Sequence, residues 1–578
     1  MIDPPRIRCR SVSLDDSRFP DGFHPTLQRI LLGRGVTELQ PLTLGNLHGP
    51  GLLGGIAEAA GLLADAVCES QDILIAGDFD ADGATGTALA VLALRDLGAS
   101  RVRFRVPNRF EFGYGLSPGL VDSLKPEIPD LLVTVDSGIA CHDGVKMARD
   151  LGSKVIITDH HLPGDSLPGA NAIVNPNCSE DGFPSKALAG VGVMFYVLGA
   201  VRAQLRQRGW FSAKRNEPNL ARYLDLVALG TVADMVPLDF NNRILVNGGM
   251  QRIRAGHARA GILSLLRAGK RDYRHVVASD LGFTVAPRLN AAGRLEDMSI
   301  GIRCLLSEDH EEAGAWVQQL EEYNISRRQM QAQMQDEAMR QLQELLRNIK
   351  EKTRLPPCVC LHDTHWHQGI VGLVASRVKD ALHRPAIVFA PESEDSDLLK
   401  GSGRSVRGMH MRDLLAHVDS HHPGLILHFG GHAMAAGLTL KAEDLERFKA
   451  ALDESAKVVL DGRQLSREIV TDGELAAADL NLDFAQQIRD LGPWGQQFPE
   501  PLFEGAFEVL DQKIVGGAHL KMVLRPADGH EPVDAIAFGT LPEELPSKNA
   551  LRALFHLDVN HFRGDRSCQL RIEHLVSI

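Results

Sequence analysis

The sequence predicts a multidomain α/β protein whose first domain is built on a parallel sheet. Strand-like and helix-like runs alternate from about residue 70 to 250, and a second alternation begins after Pro356-Pro357. Beyond about residue 465 the chain consists mostly of short strand-like runs separated by Gly and Pro turns. At 578 residues the chain exceeds what one core normally sustains, so about three domains are expected.

The first part of the chain divides into an extension and a domain. Residues 1–50 are interrupted by Pro and Gly and show weak periodicity, which predicts an irregular N-terminal extension. Within a first domain over residues 51–305, the periodicity predicts helices at 86–97 and 144–151 and a strand at 102–106. Strands separated by helices are typical of a parallel sheet with right-handed crossovers.

A long helix should follow. Residues 315–350 contain neither Gly nor Pro and carry recurring apolar side chains, which predicts one helix within a connecting segment over residues 306–352. A dimeric coiled coil is the alternative, but the apolar stripe is irregular. We expect a monomer.

Two further domains are predicted after the connecting helix. Residues 353–458 form a second α/β unit, with strands at 359–361 and 386–390 and helices at 369–382 and 411–418. Residues 459–578 form a small β-barrel or sandwich, with strands at 503–515, 520–524, 535–538 and 570–576.

Composition and charge limit the function classes. No apolar stretch approaches ~20 residues and the N-terminus lacks a charged-then-apolar leader, so we expect a cytoplasmic protein with no membrane contact. The net charge of −12 would ordinarily count against nucleic-acid binding. Local basic clusters matter more than the total charge, so the total decides nothing here.

Carboxylates and histidines stand directly after short apolar runs at several places. The carboxyl ends of parallel strands meet in one crevice, so these side chains should converge there. The residues are Asp78, Asp80, Asp82, Asp136, Asp159, His160 and His161, with Asp234 in a further apolar run.

The pattern favours metal binding over the simpler alternatives. A calcium loop of the helix-loop-helix kind would need a glutamate at position 89, which is Leu89, and helix capping explains one aspartate of the first group but not three. Adjacent residues of an extended segment face opposite ways, so one histidine can bind metal while the other faces a substrate. Aspartate and imidazole ligands without thiolate favour Mn²⁺ or Mg²⁺ over a closed zinc site. Two such ions are a standard device for phosphoester hydrolysis.

Several motifs resemble those of the DHH phosphoesterase superfamily. Residues 80–83, 136–138, 159–161 and 233–234 resemble its four motifs, and residues 401–405 and 430–437 resemble its DHH-associated domain. The resemblance covers roughly residues 50–578. It implies a DHH catalytic domain, a DHH-associated substrate-binding domain and a C-terminal OB-type barrel. It also implies an exonuclease that degrades single-stranded DNA from the 5′ end to 5′-mononucleotides in DNA repair and recombination.

The same resemblance implies roles for the clustered residues. Two Mn²⁺ or Mg²⁺ ions would be held by Asp80, Asp82, Asp136, His160 and Asp234. Asp136 would bridge the ions and act with His160 and His161 in catalysis, with His161 near the scissile phosphate, while Asp78 and Asp159 support the metal ligands. Some members have histidine where this chain has Ala76, so one ion would bind more weakly or use Asp78 or water instead.

Substrate contacts and partners are implied in the same way. Arg109, Arg288, Ser402, Arg404 and His432 are candidates for gripping the 5′-terminal phosphate and the nearby backbone. An OB-type barrel would hold the single strand through a basic groove and stacking aromatics. A single-strand-binding protein and a helicase are the expected partners.

Three other functions stay open at this point. One is hydrolysis of short RNA or cyclic dinucleotides, although the connecting helix and extra barrel favour a polymer. Another is a nonhydrolytic single-strand-binding scaffold, although the metal motifs other than position 76 are intact. The third is a tRNA-contacting appendage like that of alanyl-tRNA synthetase, although no synthetase-like body is visible. Pocket shape, not sequence, would decide between DNA and RNA.

Overall fold

The chain folds into two compact units. The larger unit comprises residues 9–321 and 470–578, and the smaller unit comprises residues 322–469 with the N-terminal residues up to Arg8. The structure, a computed structural model, describes residues 5–13, 18–108, 111–348, 356–393, 396–460, 465, 467–539, 550–562 and 564–577. The C-terminal domain therefore shares a unit with the first domain of the chain.

The described part of the N-terminal segment is mostly irregular, as predicted, but it also holds a strand and a helix. Its elements are β1 (Arg6–Cys9) and α1 (Pro25–Leu32), and α2 (Ile56–Cys68) follows. Leu27 and Ile30 of α1 are buried in the same hydrophobic cluster as Phe503 of the C-terminal domain. Because the surface that covers this short helix lies at the other end of the chain, no local pattern could reveal it.

A five-stranded parallel sheet forms the centre of the larger unit. Its elements are β2 (Asp72–Gly77), α3 (Ala81–Asp96), β3 (Arg101–Arg105), α4 (Pro118–Asp122), β4 (Leu131–Val135), α5 (His142–Asp150), β5 (Lys154–Thr158) and β6 (Ala172–Val174). The strand order is β3-β2-β4-β5-β6, and every neighbouring pair is parallel. β2 and β4 are buried along their whole length, as is typical of a parallel sheet covered on both faces.

The named elements between residues 190 and 348 are all helices, so the predicted strand–helix alternation is confirmed up to β6 and wrong from there to residue 250. The helices are α6 (Gly190–Gln207), α7 (Leu224–Ala233), α8 (Phe240–Arg254), α9 (Ala260–Ala268), α10 (Ala278–Asp280), the π-helical turn Leu281–Val285, α11 (Ala286–Leu295), α12 (Ser299–Leu306) and α13 (His310–Asn348). In α7, the residues from Leu224 to Thr231 are all buried. Such a helix is apolar almost without a break and carries no clear helical period.

The predicted long helix is confirmed as α13.

Within the part of the chain that the structure describes, no single helix is long and apolar enough to cross a membrane. Leu44–Leu52 and Ile56–Cys68 pass that test only together, bent by 93°, and only on length and composition.

The smaller unit holds a mixed sheet. Its elements are β7 (Val359–His362), α14 (Val371–Leu382), β8 (Ala386–Pro391), β9 (Leu398–Arg404), α15 (Met411–His421), β10 (His428–Gly431), β11 (Ala435–Lys441) and α16 (Leu445–Leu460). The strand order is β10-β11-β9-β8-β7, with β7 and β8 parallel and the other pairs antiparallel. The strands and helices predicted in this part of the chain are confirmed, with small shifts at their ends.

The C-terminal strands close into the predicted barrel. β12 (Glu468–Thr471) and α17 (Leu482–Asp490) precede the barrel strands β13 (Phe503–Val515), β14 (His519–Pro526), β15 (Val533–Phe538), β16 (Ala550–Phe562) and β17 (Asp565–Ser577). The strand order is β13-β14-β15-β17-β16, and antiparallel pairing of β13 with β16 closes the barrel. β13 has the limits predicted for it, β17 is longer than the predicted run at 570–576, and β16 was not among the predicted strands.

Buried polar contacts join the barrel to the rest of the larger unit. Arg34, which follows α1, donates two hydrogen bonds to the Asp472 carboxylate at 2.8 and 3.0 Å and one to the Pro499 carbonyl at 2.7 Å. The Arg34 and Asp472 side chains are 0% and 2% exposed. Arg243 of α8 donates to the Leu491 carbonyl at 3.1 Å and lies 3.9 Å from the centre of the Phe498 ring.

Replacing Arg34 with alanine should destabilise the larger unit. The substitution removes both guanidinium hydrogen bonds to the buried Asp472 carboxylate and leaves only Arg10 Nε, at 3.5 Å, beside it. Breaking a buried pair typically costs about 3–5 kcal/mol, and Arg10 should keep the cost toward the lower end. Thermal unfolding monitored by circular dichroism should show a clearly lower midpoint. The control is Arg206→Ala, which removes an exposed pair with Glu217 in the same unit and should change the midpoint little. Equal midpoints for the two variants would contradict the role of Arg34.

Candidate functional site

Carboxylates and imidazoles converge at the carboxyl edge of the parallel sheet. Three sets of side chains each offer ligand atoms within 4.8 Å of one another. The sets are Asp78, Asp80 and Asp136; Asp82, His160 and Asp234; and Asp136, His160 and His161. Because Asp136 and His160 each belong to two sets, the three sets form one continuous cluster with room for more than one ion.

Asp136 occupies the centre of the cluster with a strained backbone. Its φ of 61° lies in the left-handed region, which residues other than glycine rarely adopt and which costs of order 1–3 kcal/mol. Its N–H donates to the Thr158 carbonyl at 3.0 Å, which extends the pairing of β4 with β5 beyond the strand ends. Asp136 thus holds a disfavoured conformation directly after β4, where its carboxylate enters two of the three ligand sets.

Helix N-termini hold two more carboxylates. Asp80 caps α3, and its Oδ1 accepts hydrogen bonds from the N–H groups of Asp82 and Gly83 at 2.9 and 3.0 Å. The buried Asp82 carboxylate accepts hydrogen bonds from Gly190 and Val191 at the N-terminus of α6, at 2.6 and 2.9 Å. A helix N-terminus favours negative charge, so both carboxylates are held by backbone donors. Capping uses Oδ1 of Asp80 and leaves its second oxygen for a cation.

Glycines allow helices to approach the carboxylates closely. A Cβ on Gly190 would lie 2.5 Å from Asp136 Cβ, and one on Gly230 of α7 would lie 2.8 Å from Asp82 Oδ1. On α11, a Cβ on Gly293 would lie 1.8 Å from the Phe79 carbonyl oxygen, and Asn290 Oδ1 accepts a hydrogen bond from Ala81 N–H at 2.8 Å. These four residues could not be predicted from the sequence, because a glycine or an asparagine in a helix is too common to be a specific signal.

The two adjacent histidines face different partners, as predicted. His160 Nε2 lies 3.0 Å from Asp136 Oδ1, 3.5 Å from Asp234 Oδ2 and 4.0 Å from Asp82 Oδ2. His161 Nδ1 instead lies 2.8 Å from Asp159 Oδ1. His160 therefore points into the carboxylate cluster, while the partly exposed His161 side chain lies at its edge.

Asp159 positions both histidines. Its Oδ1 accepts the N–H groups of His160 and His161 at 2.7 and 3.0 Å, and its Oδ2 accepts the Ile139 N–H at 2.9 Å. Although burial opposes ionisation, the hydrogen bonds from His161 hold the pKa of Asp159 below its usual value. Burial also lowers the pKa of His161, but Asp159 and the nearby carboxylates outweigh it and raise that pKa to about 9. The contact with Asp159 thus favours the imidazolium form of His161.

The other carboxylates repel one another. Burial and the neighbouring Asp80 raise the pKa of Asp82 to about 7. Burial, followed by the charge of Asp82, raises the pKa values of Asp136 and Asp234 well above their usual range. Divalent cations would remove this repulsion and return the carboxylates to their ionised form.

The donor set fits hard divalent cations. The three ligand sets offer carboxylate oxygens and imidazole nitrogens and no thiolate, a combination that suits Mn²⁺ and Mg²⁺. Ala76, at the position where some DHH proteins have histidine, is 4% exposed and offers no ligand. Asp78, predicted as a supporting residue, lies in a ligand set with Asp80 and Asp136. Asp78 is therefore a candidate ligand in place of the missing histidine.

Of the two phosphate-binding residues predicted in the first domain, the structure describes one, and that one is already paired. Arg109 lies outside the described residues. Arg288 on α11 donates to the Glu321 carboxylate and, at 2.6 Å, to the Thr284 carbonyl, and its side chain is 11% exposed. Phosphate binding by Arg288 would require exchange of Glu321 for the substrate.

The smaller unit brings its three predicted residues together. Arg404 Nη1 donates to Ser402 Oγ at 2.9 Å. Arg404 is paired across the sheet with Ala435, whose carbonyl accepts the His432 N–H at 2.7 Å. A Cβ on Gly372 at the start of α14 would lie 2.9 Å from Arg404 Nη2, so this glycine leaves room for the guanidinium.

Several aromatics in and just before the barrel have structural roles. Phe503 belongs to the barrel core, and Trp494 and Phe498 stack at 5.1 Å beside Arg34 and Arg243. Phe538 is 59% exposed, and the side chain of Phe562 lies outside the described part of the chain.

Comparisons with known proteins agree with this architecture. Residues 72–231 match the DHH family, N-terminal domain; residues 356–458 match the DHHA1 domain; and residues 471–574 match the RecJ OB domain. These matches lie within the predicted domains, whose limits stay predictions.

Relatives are similar over nearly the whole chain. The single-stranded-DNA-specific exonuclease RecJ of Dickeya dadantii is 50% identical over 565 residues, which cover 97% of each chain. The crystal structure of Thermus thermophilus RecJ in complex with Mn²⁺ has a TM-score of 0.78 and 29% identity, and the match covers 100% of this chain and 80% of that one. The same protein in complex with Mg²⁺ has a TM-score of 0.74 and 27% identity, over 99% and 78% of the two chains.

Mn²⁺ should stabilise this fold through the carboxylate cluster. At a concentration 100-fold above its dissociation constant, an ion that binds only the folded state adds about 2.7 kcal/mol. Asp136→Asn should lose most of this gain because Asp136 belongs to two ligand sets. In chelator the variant should be at least as stable as the original chain, because one buried like charge is gone. Thermal unfolding with Mn²⁺ and with chelator measures both effects.

The matched control for this measurement is Asp150→Asn, which removes an exposed carboxylate paired with Lys146. It should keep the full response to Mn²⁺. A response that is equal in both variants would contradict the proposed location of the ions.

Proposed function

The chain belongs to the RecJ family of single-stranded-DNA-specific exonucleases, and from that premise we propose that it degrades single-stranded DNA from the 5′ end to 5′-mononucleotides. The observation that carries the proposal is the cluster in which two ligand sets share Asp136 at the carboxyl edge of the parallel sheet. Such paired sites suit phosphodiester hydrolysis, because both the attacking and the leaving oxygens need stabilisation.

We assign the metal ligands within this cluster. Asp80, Asp82, Asp136, His160 and Asp234 hold two Mn²⁺ or Mg²⁺ ions, with Asp136 shared and Asp78 completing the set that contains Asp80. When bound, the ions act as Lewis acids on the phosphodiester and lower the pKa of water. The protein's own part is to hold the carboxylates ionised and oriented through the N-termini of α3 and α6.

His161 is the residue we assign to the scissile phosphate. Asp159 accepts a hydrogen bond from Nδ1–H of His161. The Nε2–H group of the imidazolium can therefore face the substrate. At neutral pH this group can stabilise the phosphoryl charge or protonate the leaving oxygen. Asp159 thereby serves as a positioning residue.

In this proposal, some of the phosphate-binding residues lie in the smaller unit. Arg404 and Ser402 share a strand and a hydrogen bond, and His432 lies on the adjoining turn. Guanidinium and hydroxyl donors suit the 5′-terminal phosphate. Arg109 and Arg288 are further candidates in the first domain.

We place this activity in DNA repair and recombination in the cytoplasm. A single strand must be exposed before it can be degraded, so a helicase and a single-strand-binding protein are the proposed partners. A monomer suffices for the proposed site, because the described chain supplies each assigned metal ligand.

The direct test follows end-labelled single-stranded DNA, duplex DNA and matching RNA under Mn²⁺, Mg²⁺ and chelator. Metal-dependent release of mononucleotides from the 5′ end of long single-stranded DNA supports the proposal. Cleavage confined to very short oligomers would indicate the short-RNA hydrolase instead, and tight binding without cleavage would indicate the scaffold. Asp136→Ala should be folded and inactive.

Substitution of each histidine should have a different effect on catalysis and on metal binding. His161→Ala should lower kcat by roughly 100- to 10,000-fold, the usual contribution of a general acid–base group, while the stabilisation by Mn²⁺ is retained. His160→Ala should lose that stabilisation together with activity. Thermal unfolding with Mn²⁺ and initial rates on single-stranded DNA are measured for both variants. Loss of Mn²⁺ stabilisation in His161→Ala would overturn the assignment.

Arg404→Ala should weaken substrate binding. Loss of a charged hydrogen-bond donor to phosphate should raise the Michaelis constant on single-stranded DNA roughly 10- to 100-fold. The control is Arg447→Ala, which removes an exposed arginine of the same unit paired with Asp444. An unchanged Michaelis constant in Arg404→Ala would refute the role.

A further inference from the structure

Tyr114 presents an aromatic ring beside the metal cluster. The residue is 48% exposed. Its hydroxyl donates to the Asp136 carbonyl oxygen at 3.3 Å and lies 3.5 Å from His161 Nδ1. Its ring is nearly perpendicular to those of Phe79 and His161, with centres 5.9 and 6.0 Å away.

These contacts fix the ring relative to the reacting groups. The hydroxyl is anchored to the backbone of Asp136, the residue shared between ligand sets, and Phe79 lies between Asp78 and Asp80 in the chain. The hydroxyl contact and the two neighbouring rings therefore hold this half-exposed side chain in one orientation. A ring that is already ordered loses little conformational entropy when a flat ligand stacks on it.

On the basis of the proposed function, we propose that Tyr114 is a specificity-determining residue that stacks on a nucleobase next to the scissile phosphate. Because we assign His161 to the scissile phosphate and its ring lies 6.0 Å from that of Tyr114, the stacked base would belong to one of the two nucleotides that flank this phosphate. Stacking requires a base whose face is accessible, and bases within a duplex are already covered by their neighbours. Tyr114 thereby favours single strands over duplexes.

The test removes the base and the ring separately. Long single-stranded DNA with a 5′-phosphate and a 3′ label carries a tetrahydrofuran abasic residue at nucleotide 1, at nucleotide 2 or, as a reference, far from the 5′ end. Single-turnover release of the first nucleotide is measured for the original chain and for Tyr114→Ala, Tyr114→Leu and Tyr114→Phe. Base–aromatic stacking predicts roughly a 10-fold loss when the base at nucleotide 1 or 2 is removed from the substrate of the original chain.

The alanine and leucine variants should be slower on intact DNA by a similar factor and should lose no more when that base is missing. Tyr114→Phe should keep the full dependence on the base, because the ring remains. Phe283→Ala, which removes an aromatic side chain that is 80% exposed on the π-helical turn, should also keep it. Stabilisation by Mn²⁺ checks that each variant has an intact cluster.

Equal losses on intact and abasic DNA in Tyr114→Ala and Tyr114→Leu would overturn the proposal and leave Tyr114 a structural role only. Loss of the base dependence in Tyr114→Phe would overturn it as well. Failure of the proposed function would give a different result, because the original chain would then release no nucleotide from intact DNA.

Discussion

The fold is organised around the cost of holding several buried carboxylates within a few ångströms of one another. Burial and mutual repulsion raise the pKa values of Asp82, Asp136 and Asp234, so the ionised form of the cluster is disfavoured. The parallel sheet brings Asp136 to its carboxyl edge, where α3 supplies Asp82 and the end of α7 supplies Asp234. Backbone donors at the N-terminus of α6 offset part of the rise at Asp82, and divalent cations, when present, would compensate the remaining repulsion. Metal dependence is thus a direct consequence of the electrostatics of the site.

The surrounding helices are shaped by the same constraint. Donors that compensate a carboxylate must come within hydrogen-bonding distance, and a backbone can do so only where no side chain intervenes. Gly190 meets this condition at the start of α6, where its N–H donates to Asp82, and Gly230 lets α7 pack closely against the same carboxylate. Asn290 on α11 accepts a hydrogen bond from the N–H of Ala81, which lies between Asp80 and Asp82 in the chain. The strained φ of Asp136 belongs to the same set of adjustments, because it directs a shared carboxylate between neighbouring strands.

The sequence predicts the carboxylates and histidines better than it predicts the residues that support them. Asp80, Asp136 and His160 could be found because a strand followed by a polar group is a local pattern whose spatial meaning is set by parallel-sheet geometry. Gly190 and Asn290 act through tertiary approach, which leaves no local pattern. The pairing of Arg288 with Glu321 is invisible for the same reason. The burial of α1 against the barrel depends on a partner at the far end of the chain.

The aromatic residues next to the barrel have a structural role. Trp494 and Phe498, aromatics of the kind that a single strand could use for stacking, lie instead against Arg34 and Arg243 and join the barrel to the helices around the cluster. The barrel and the metal site consequently belong to one compact unit. A strand bound on the barrel would therefore keep a constant path to the cluster while nucleotides are removed. In our proposal, the residue that stacks next to the reacting phosphate belongs to the catalytic domain. It is Tyr114, whose hydroxyl is bonded to the backbone of Asp136.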